Sequence, residues 1–341
     1  MARGDLYKAD AWRHTSGMEA VNSLTGPAGL KAGQAVIPVA LLHCPDYAAP
    51  DLARIAAQAL EAGEVRVSAG ARVLVKPNLV TAQALACTDP RVVAAACAWL
   101  LDQGARVQVA DSPGFGSAAS VARAVGLAQE LKALGLAVSS LDRPVPLRLD
   151  TGACFKVARQ ALECDLILSV PRVKAHGQML VTLAVKNLFG CVSGLRKALI
   201  HAREGRQPRY FADCLAALWA ALPPVAGLAD GVRAMHVTGP SRGRPFALRL
   251  MGASASAVAL DRALCAVLGL DFGATPLGAA LERRAAAGSS LFYPLLQPGG
   301  FDARGFELPG ELAHTSFHPA RCVKSCARRI WARLAGARSK G

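Results

Sequence analysis

Four apolar segments of the chain each stop in residues able to bind an anion or carry a proton. They are Val75-Lys76-Pro77-Asn78, Ala110-Asp111-Ser112-Pro113-Gly114, Val170-Pro171-Arg172-Val173-Lys174-Ala175-His176 and Ala229-Asp230-Gly231. A charge at the end of a buried segment is costly unless it is paired, solvated or bound to a ligand. The densest stretch runs from Pro171 to His201 and adds Lys186, Asn187, Arg196, Lys197 and His201. Lys186-Asn187 interrupts Ala184-Val185 and Leu188-Phe189, so this lysine must snorkel, meet a carboxylate or face a ligand. Lys76, Asn78, Arg172, Lys174, Lys186 and Asn187 therefore suit the binding of a carboxylate or phosphate. His176, with Asp111 or Asp230, suits proton transfer near neutral pH. His176 and His201 are the candidate metal ligands, with the metal itself unspecified. Plainer readings stand beside these: a turn and helix cap at Asp111-Ser112, a snorkelling Lys186, an ordinary loop histidine at 176.

These residues need a scaffold that gathers strand ends. Apolar runs at Ala35 to Leu42, Arg72 to Val75, Arg106 to Ala110, Leu136 to Leu141 and Asp165 to Val170 alternate with helical spacing from Leu52, from Pro90 to Leu101 and from Ser117 to Leu134. Strands that are apolar throughout and separated by helices belong in a mostly parallel sheet covered on both faces. The expected fold is a layered α/β sandwich, whose ligand crevice lies outside the carboxyl ends of its strands. Further on, the pattern predicts a hairpin-like stretch to Phe155, a short helix from Ala158 to Leu162, a helix from Leu180 to Phe189 and a polar loop from Ser193 to Arg209. A helix from Phe211 to Ala221, strands at Val225 to Ala229 and Phe246 to Met251, and a helix from Val258 to Leu268 follow. Residues 1–34 read as an N-terminal extension, 35–287 as the α/β domain and 288–341 as an irregular basic extension.

Composition narrows the classes. With 52% hydrophobic and 18% charged residues the chain is no disordered polymer. No apolar run reaches membrane-spanning length, and the charged first 25 residues do not read as a signal peptide, so a cytoplasmic protein is expected. Cys97, Cys164, Cys214 and Cys265 lie in apolar runs, where a thiol acts as a small hydrophobe. Cys322 and Cys326 stand on a polar tail at a spacing that cannot by itself hold zinc or an iron-sulfur cluster. A net charge of +15 calls for an anionic partner. Arg321, Lys324, Arg328, Arg329, Arg333, Arg338 and Lys340 concentrate part of that charge at the end of the chain, with Trp331 the one aromatic among them. The lack of an aromatic-rich basic platform argues against nucleic acid. Neither a dinucleotide fingerprint, a P-loop nor a G-x-S-x-G elbow is present.

Val75-Lys76-Pro77-Asn78-Leu79, Thr88-Asp89-Pro90, Ala110-Asp111-Ser112-Pro113-Gly114, Pro171-Arg172-Val173-Lys174-Ala175-His176, Leu183-Ala184-Val185-Lys186-Asn187-Leu188-Phe189-Gly190, Ala229-Asp230-Gly231 and Leu260-Asp261 occur in an order that resembles the domain of unknown function 362 family. The resemblance covers about Val36 to Asp271. Many members of that family carry a ferredoxin-like cluster domain, which would imply redox chemistry. This chain lacks the cysteine quartet, which argues against an iron-sulfur cluster within it. A weaker resemblance is to the nickel-pincer lactate racemases: His176 precedes Lys186 by ten residues and His201 follows it by fifteen. That resemblance implies Lys186 as a cofactor anchor, although the glycine-rich context of the family's lysine is replaced here by Val181 to Val185. Two functions are thus expected: an enzyme of proton-transfer or redox-linked type acting on a small anionic compound, or an accessory protein docking a redox or nucleic-acid partner through its basic surface and tail.

Overall fold

A computed structural model describes residues 35–114, 116–192, 207–284 and 289–312. Arg196, Lys197, His201, Cys322, Cys326 and the basic tail lie outside the described residues.

Seven strands of a ten-stranded sheet follow one another in the order Leu180–Thr182, Arg172–His176, Val225–His236, Leu166–Val170, Arg72–Pro77, Arg106–Asp111 and Val138–Ser140. All neighbours in this row are parallel except the first pair. Leu250–Ser254 adds to Val225–His236 in antiparallel register, and Ala40–His43 adds to Leu250–Ser254. Along Arg72–Pro77, Val73, Leu74 and Val75 are all buried, as both-face coverage requires. Alternation then divides the core in two. Leu41, Leu74, Ala110, Ile167 and Val173 pack on one side with helices Pro208–Ala220, Ala257–Val267 and Pro276–Arg284. Leu42, Val73, Val75, Val109 and Leu168 pack on the other with helices Leu52–Ala62, Pro90–Asp102, Ala118–Ala124 and Leu127–Lys132. Each fully buried aliphatic side chain of this kind stabilises the fold by about 1.5–3 kcal/mol relative to exposure.

Several elements depart from the pattern-based expectation for physical reasons. The helix expected from Ser117 to Leu134 is two helices, because Gly126 takes φ 88 and turns the chain between them. The helix expected from Leu180 to Phe189 starts as the strand Leu180–Thr182, which pairs back on Arg172–His176. Helix Ala184–Asn187 follows, its first amides taken by the buried Asp261 carboxylate: Ala184 N donates at 2.7 Å and Val185 N at 3.1 Å. Val225–His236 runs on for 12 residues, so Asp230 lies inside a strand rather than past its end. It continues because Leu166–Val170 and Arg172–His176, separated by Pro171, lie one after the other along its flank. Pro171 donates nothing to the ladder, and its carbonyl accepts from Asp230 N at 2.9 Å. Beyond residue 288, Ser290–Phe292 pairs in parallel with Val36–Pro38, and Phe301 is buried.

Candidate functional site

Lys76 stands on the last turn of the pleat before Pro77 and is fully buried. Its ammonium pairs with Asp111 Oδ1 at 2.8 Å, at the end of the neighbouring parallel strand. It also donates to Pro77 O at 2.6 Å and to Asn187 Oδ1 at 3.2 Å. Asp111 is saturated in turn, accepting from Leu79 N at 2.7 Å and from Ser112 N at 2.6 Å. Asn187 reaches in from its short helix to donate to Lys76 O at 2.9 Å and to Ser169 Oγ at 3.1 Å. A buried ion pair survives only when the remaining donors and acceptors are satisfied like this.

Arg172, Lys174 and His176 alternate along their strand with Val173 and Ala175. Val173 belongs to the first core, so the three polar side chains emerge on the opposite face, where Arg172 meets Tyr47 and Cys87 of the second core. Arg172 donates to Cys87 O at 2.8 Å, to Arg233 O at 2.6 Å and to the Tyr47 hydroxyl, and pairs with Asp230 Oδ2 at 3.3 Å. Asp230 also accepts from Tyr47 Oη at 2.7 Å and from Asp89 N at 2.8 Å. Burial is the largest influence on Arg172 and works against its charge, but Asp230 together with Tyr47, Asp89 and Cys87 outweighs it, so the guanidinium stays protonated. Burial and the Asp230 charge push the Tyr47 phenol far above its ordinary range.

Lys174 is different. Its ammonium has no carboxylate partner among the described residues and is held by Asn78 Oδ1 at 2.5 Å, Ala86 O at 2.7 Å and Pro240 O at 3.3 Å. Burial lowers its pKa to about 7. Asn78, just past Pro77, also donates to Asn187 Oδ1 at 2.9 Å, so one amide bridges the groups on the two faces around the carboxyl edge of the sheet. Its backbone N–H is fixed by Thr88 Oγ1 at 2.8 Å, and that hydroxyl donates to Val170 O.

Lys186, 7% exposed, projects over the Phe189 and Phe211 rings, 5.1 and 5.8 Å from their centroids. It makes no hydrogen bond or ion pair among the described residues. Burial, with a smaller push from the Lys76 charge, lowers its pKa to about 8. A cavity of about 10 Å³ beside it, with room for about one water, is lined by Met179, Val181, Asp261 and Thr275 among others. That cavity, as the described residues bound it, does not fit a pincer nucleotide on Lys186. Burial raises the Asp261 carboxyl to about 7, against the opposing pull of its two backbone donors. His176 is buried at the turn of the hairpin, where its Nδ1 accepts from Gln178 N at 3.1 Å and Met179 N at 3.2 Å. That leaves the ring proton on Nε2.

The structure thus joins Lys76, Asn78, Asp111, Lys174 and Asn187 in one hydrogen-bonded network, with Arg172 and Asp230 adjoining it on the Lys174 side. Lys76 and Arg172 spend their charge on Asp111 and Asp230. His176 is held by the backbone amides of its own hairpin, and Lys186 stands apart from the network. Reading the sequence missed Tyr47, Thr88, Ser169, Gly190 and Asp261 as supports. Asp89 before Pro90 carried a helix-cap signal and does cap Pro90–Asp102; Tyr47 carried none. Among the described residues no three His, Cys, Asp or Glu side chains gather to hold a metal, and no helix is long and apolar enough to cross a membrane.

Known proteins resemble this chain. A thylakoid-associated protein of Synechocystis sp. is 32% identical over 274 residues, covering 79% of this chain and 85% of its own. The lactate racemase apoprotein structure from Thermoanaerobacterium thermosaccharolyticum superposes with a TM-score of 0.40 at 10% identity, over 58% of this chain and 51% of that one. Residues 73–266, which span every strand end of the network, match the family described as Domain of unknown function (DUF362). The chain belongs to the DUF362 family.

Proposed function

We propose that the protein is an enzyme that binds a compact carboxylate or phosphate compound against Lys186, with the one-water cavity beside that lysine opening to admit it, and moves a proton there. The observation that carries this reading is Lys186 itself: a nearly buried ammonium over two aromatic rings, with no acceptor and no carboxylate among the described residues. Such a charge is costly to keep unpaired, and an anion would compensate it. With a pKa of about 8, the same amine also exchanges its proton close to working pH. His176, with Nδ1 committed to backbone donors, offers an Nε2–H as a second proton carrier. The Lys76–Asp111 and Arg172–Asp230 pairs act as the rigid frame, and Asp261 holds the helix that carries Lys186.

The test compares thermal midpoints of wild type and Lys186→Met with acetate, malonate and inorganic phosphate. A ligand that binds the folded state alone stabilises it by RT ln(1 + L/Kd) at free ligand concentration L, and so raises its midpoint. The expected result is a shift in wild type that is lost in Lys186→Met while the unliganded variant stays folded. Equal shifts in both proteins overturn the reading. Native mass spectrometry with metal analysis of the purified protein identifies any ligand or metal that copurifies.

A further inference from the structure

Away from Lys186, a groove of about 530 Å³ opens beside Ala40–His43, lined by His43, Pro45, Phe246, Leu248, Arg249 and Arg304 among others. Its volume falls within the range of small-molecule sites. Two arginines reach it, and they are not equivalent. Arg304 is neutralised by Asp302, which also lines the groove, through Nε–Oδ1 at 2.9 Å and a second bond at 2.8 Å. Arg249 is exposed and makes no side-chain hydrogen bond or ion pair among the described residues. His43, exposed as well, packs its ring at a tilt against Phe301, the centroids 4.8 Å apart.

The backbone at Arg249 sharpens the contrast. Its φ is 54°, in the left-handed region that disfavours a side chain. The conformation is imposed from both sides, since Arg249 N donates to Val232 O at 3.0 Å and its carbonyl accepts from Cys44 N at 2.8 Å. A strained position kept for a long cationic side chain at the rim of a groove points to a role for that side chain. Buried Leu248 and half-buried Phe246 supply apolar surface beside it.

We propose that this groove is a second binding site, for a small organic anion with one carboxylate or phosphate head and a ring-sized apolar body. The Arg249 guanidinium takes the head through paired N–H donors, and Phe246, Leu248 and Pro45 take the body. Charge selects this occupant over two others: the basic C-terminal tail and a second copy of a chain carrying +15 both bring the same sign as Arg249. The proposal does not rest on the reading of Lys186.

The probes are benzoate, phenyl phosphate and neutral benzamide, titrated calorimetrically into the full-length protein. Binding of benzoate or phenyl phosphate at millimolar concentration, and none of benzamide, is the expected pattern; which anion binds more tightly distinguishes a carboxylate from a phosphate site. Arg249→Gly should weaken that binding by about tenfold or more, as loss of a charge-assisted pair does. Its unliganded melting midpoint should hold or rise, because glycine accepts the left-handed backbone. Arg249→Gln gives the same binding loss should the glycine variant fold poorly. Lys186→Met should leave benzoate and phenyl phosphate binding intact. Absence of binding by wild type, undiminished binding in both Arg249 variants, equal binding of benzamide, or loss of binding in Lys186→Met each overturns the proposal.

Discussion

Asn78 donates from Nδ2 to Asn187 Oδ1 at 2.9 Å, and through this bond Lys174 on one face of the sheet is tied to Lys76 on the other. The Asn187 oxygen serves both Asn78 and Lys76, so the two lysines share a polar frame without touching. Asn78→Ala takes the side-chain acceptor from Lys174 and a donor from Asn187. The expected cost is about 2 kcal/mol, the loss that follows when buried polar partners are left short. Chemical denaturation of Asn78→Ala, Asn187→Ala and the double variant should give a coupling of about 1 kcal/mol. Strict additivity would mean that the bridge is not energetically real.

Gly190 packs against the Lys76–Asp111 pair. A Cβ built there would lie 2.2 Å from Lys76 Cε and 2.5 Å from Asp111 Oδ1, and these atoms are locked by their own partners. Gly190→Ala should therefore destabilise the protein by about 1–3 kcal/mol, the usual cost of overpacking a filled interior. A denaturation midpoint equal to wild type would show that the pair can move aside.

The Lys76–Asp111 pair itself should show the asymmetry of buried charges. Lys76→Met leaves the Asp111 carboxylate without its cation and should cost about 3–5 kcal/mol. Adding Asp111→Asn removes the orphaned charge and keeps an oxygen to accept a backbone amide, so the double variant should recover part of that loss. Denaturant unfolding of the two proteins measures the recovery. A double variant less stable than Lys76→Met alone would contradict the assignment of the carboxylate as a counter-ion.

Lys174 and Lys186 make stability rise on the alkaline side. Their folded pKa values, about 7 and about 8, lie below the ordinary lysine value of 10.5. Below those folded values both states hold the protons and the full cost of burying charge is present. Between them and 10.5 the unfolded chain binds more protons than the folded one, so stability increases with pH and then levels off. Lys186→Met should raise stability at pH 7 by up to about 3 kcal/mol and flatten the part of the curve between pH 8 and 10.5. Unfolding curves at several pH values check it. Parallel curves for wild type and variant would show that Lys186 keeps an ordinary proton affinity.

Sequence alone was enough for the α/β class, the mostly parallel sheet, and the placing of Lys76 and Asp111 each at a strand end. Those features follow from local periodicity, because strands buried on both faces must be apolar throughout and their first polar residue marks the edge. Three things were decided only by tertiary structure. Leu180–Thr182 became a strand because Arg172–His176 was there to pair with it, a contact between segments that helical spacing cannot weigh. Asp230 lies within a strand because the two short strands on either side of Pro171 extend the flank on which Val225–His236 pairs. The partition of the charges was likewise invisible: Lys76 and Arg172 find carboxylates 35 and 58 residues away, whereas among the described residues Lys174 finds only neutral oxygens and Lys186 only aromatic faces. A side chain's type reveals its charge, but its pairing, and with it its proton affinity, depends on which distant segments the sheet brings to its end.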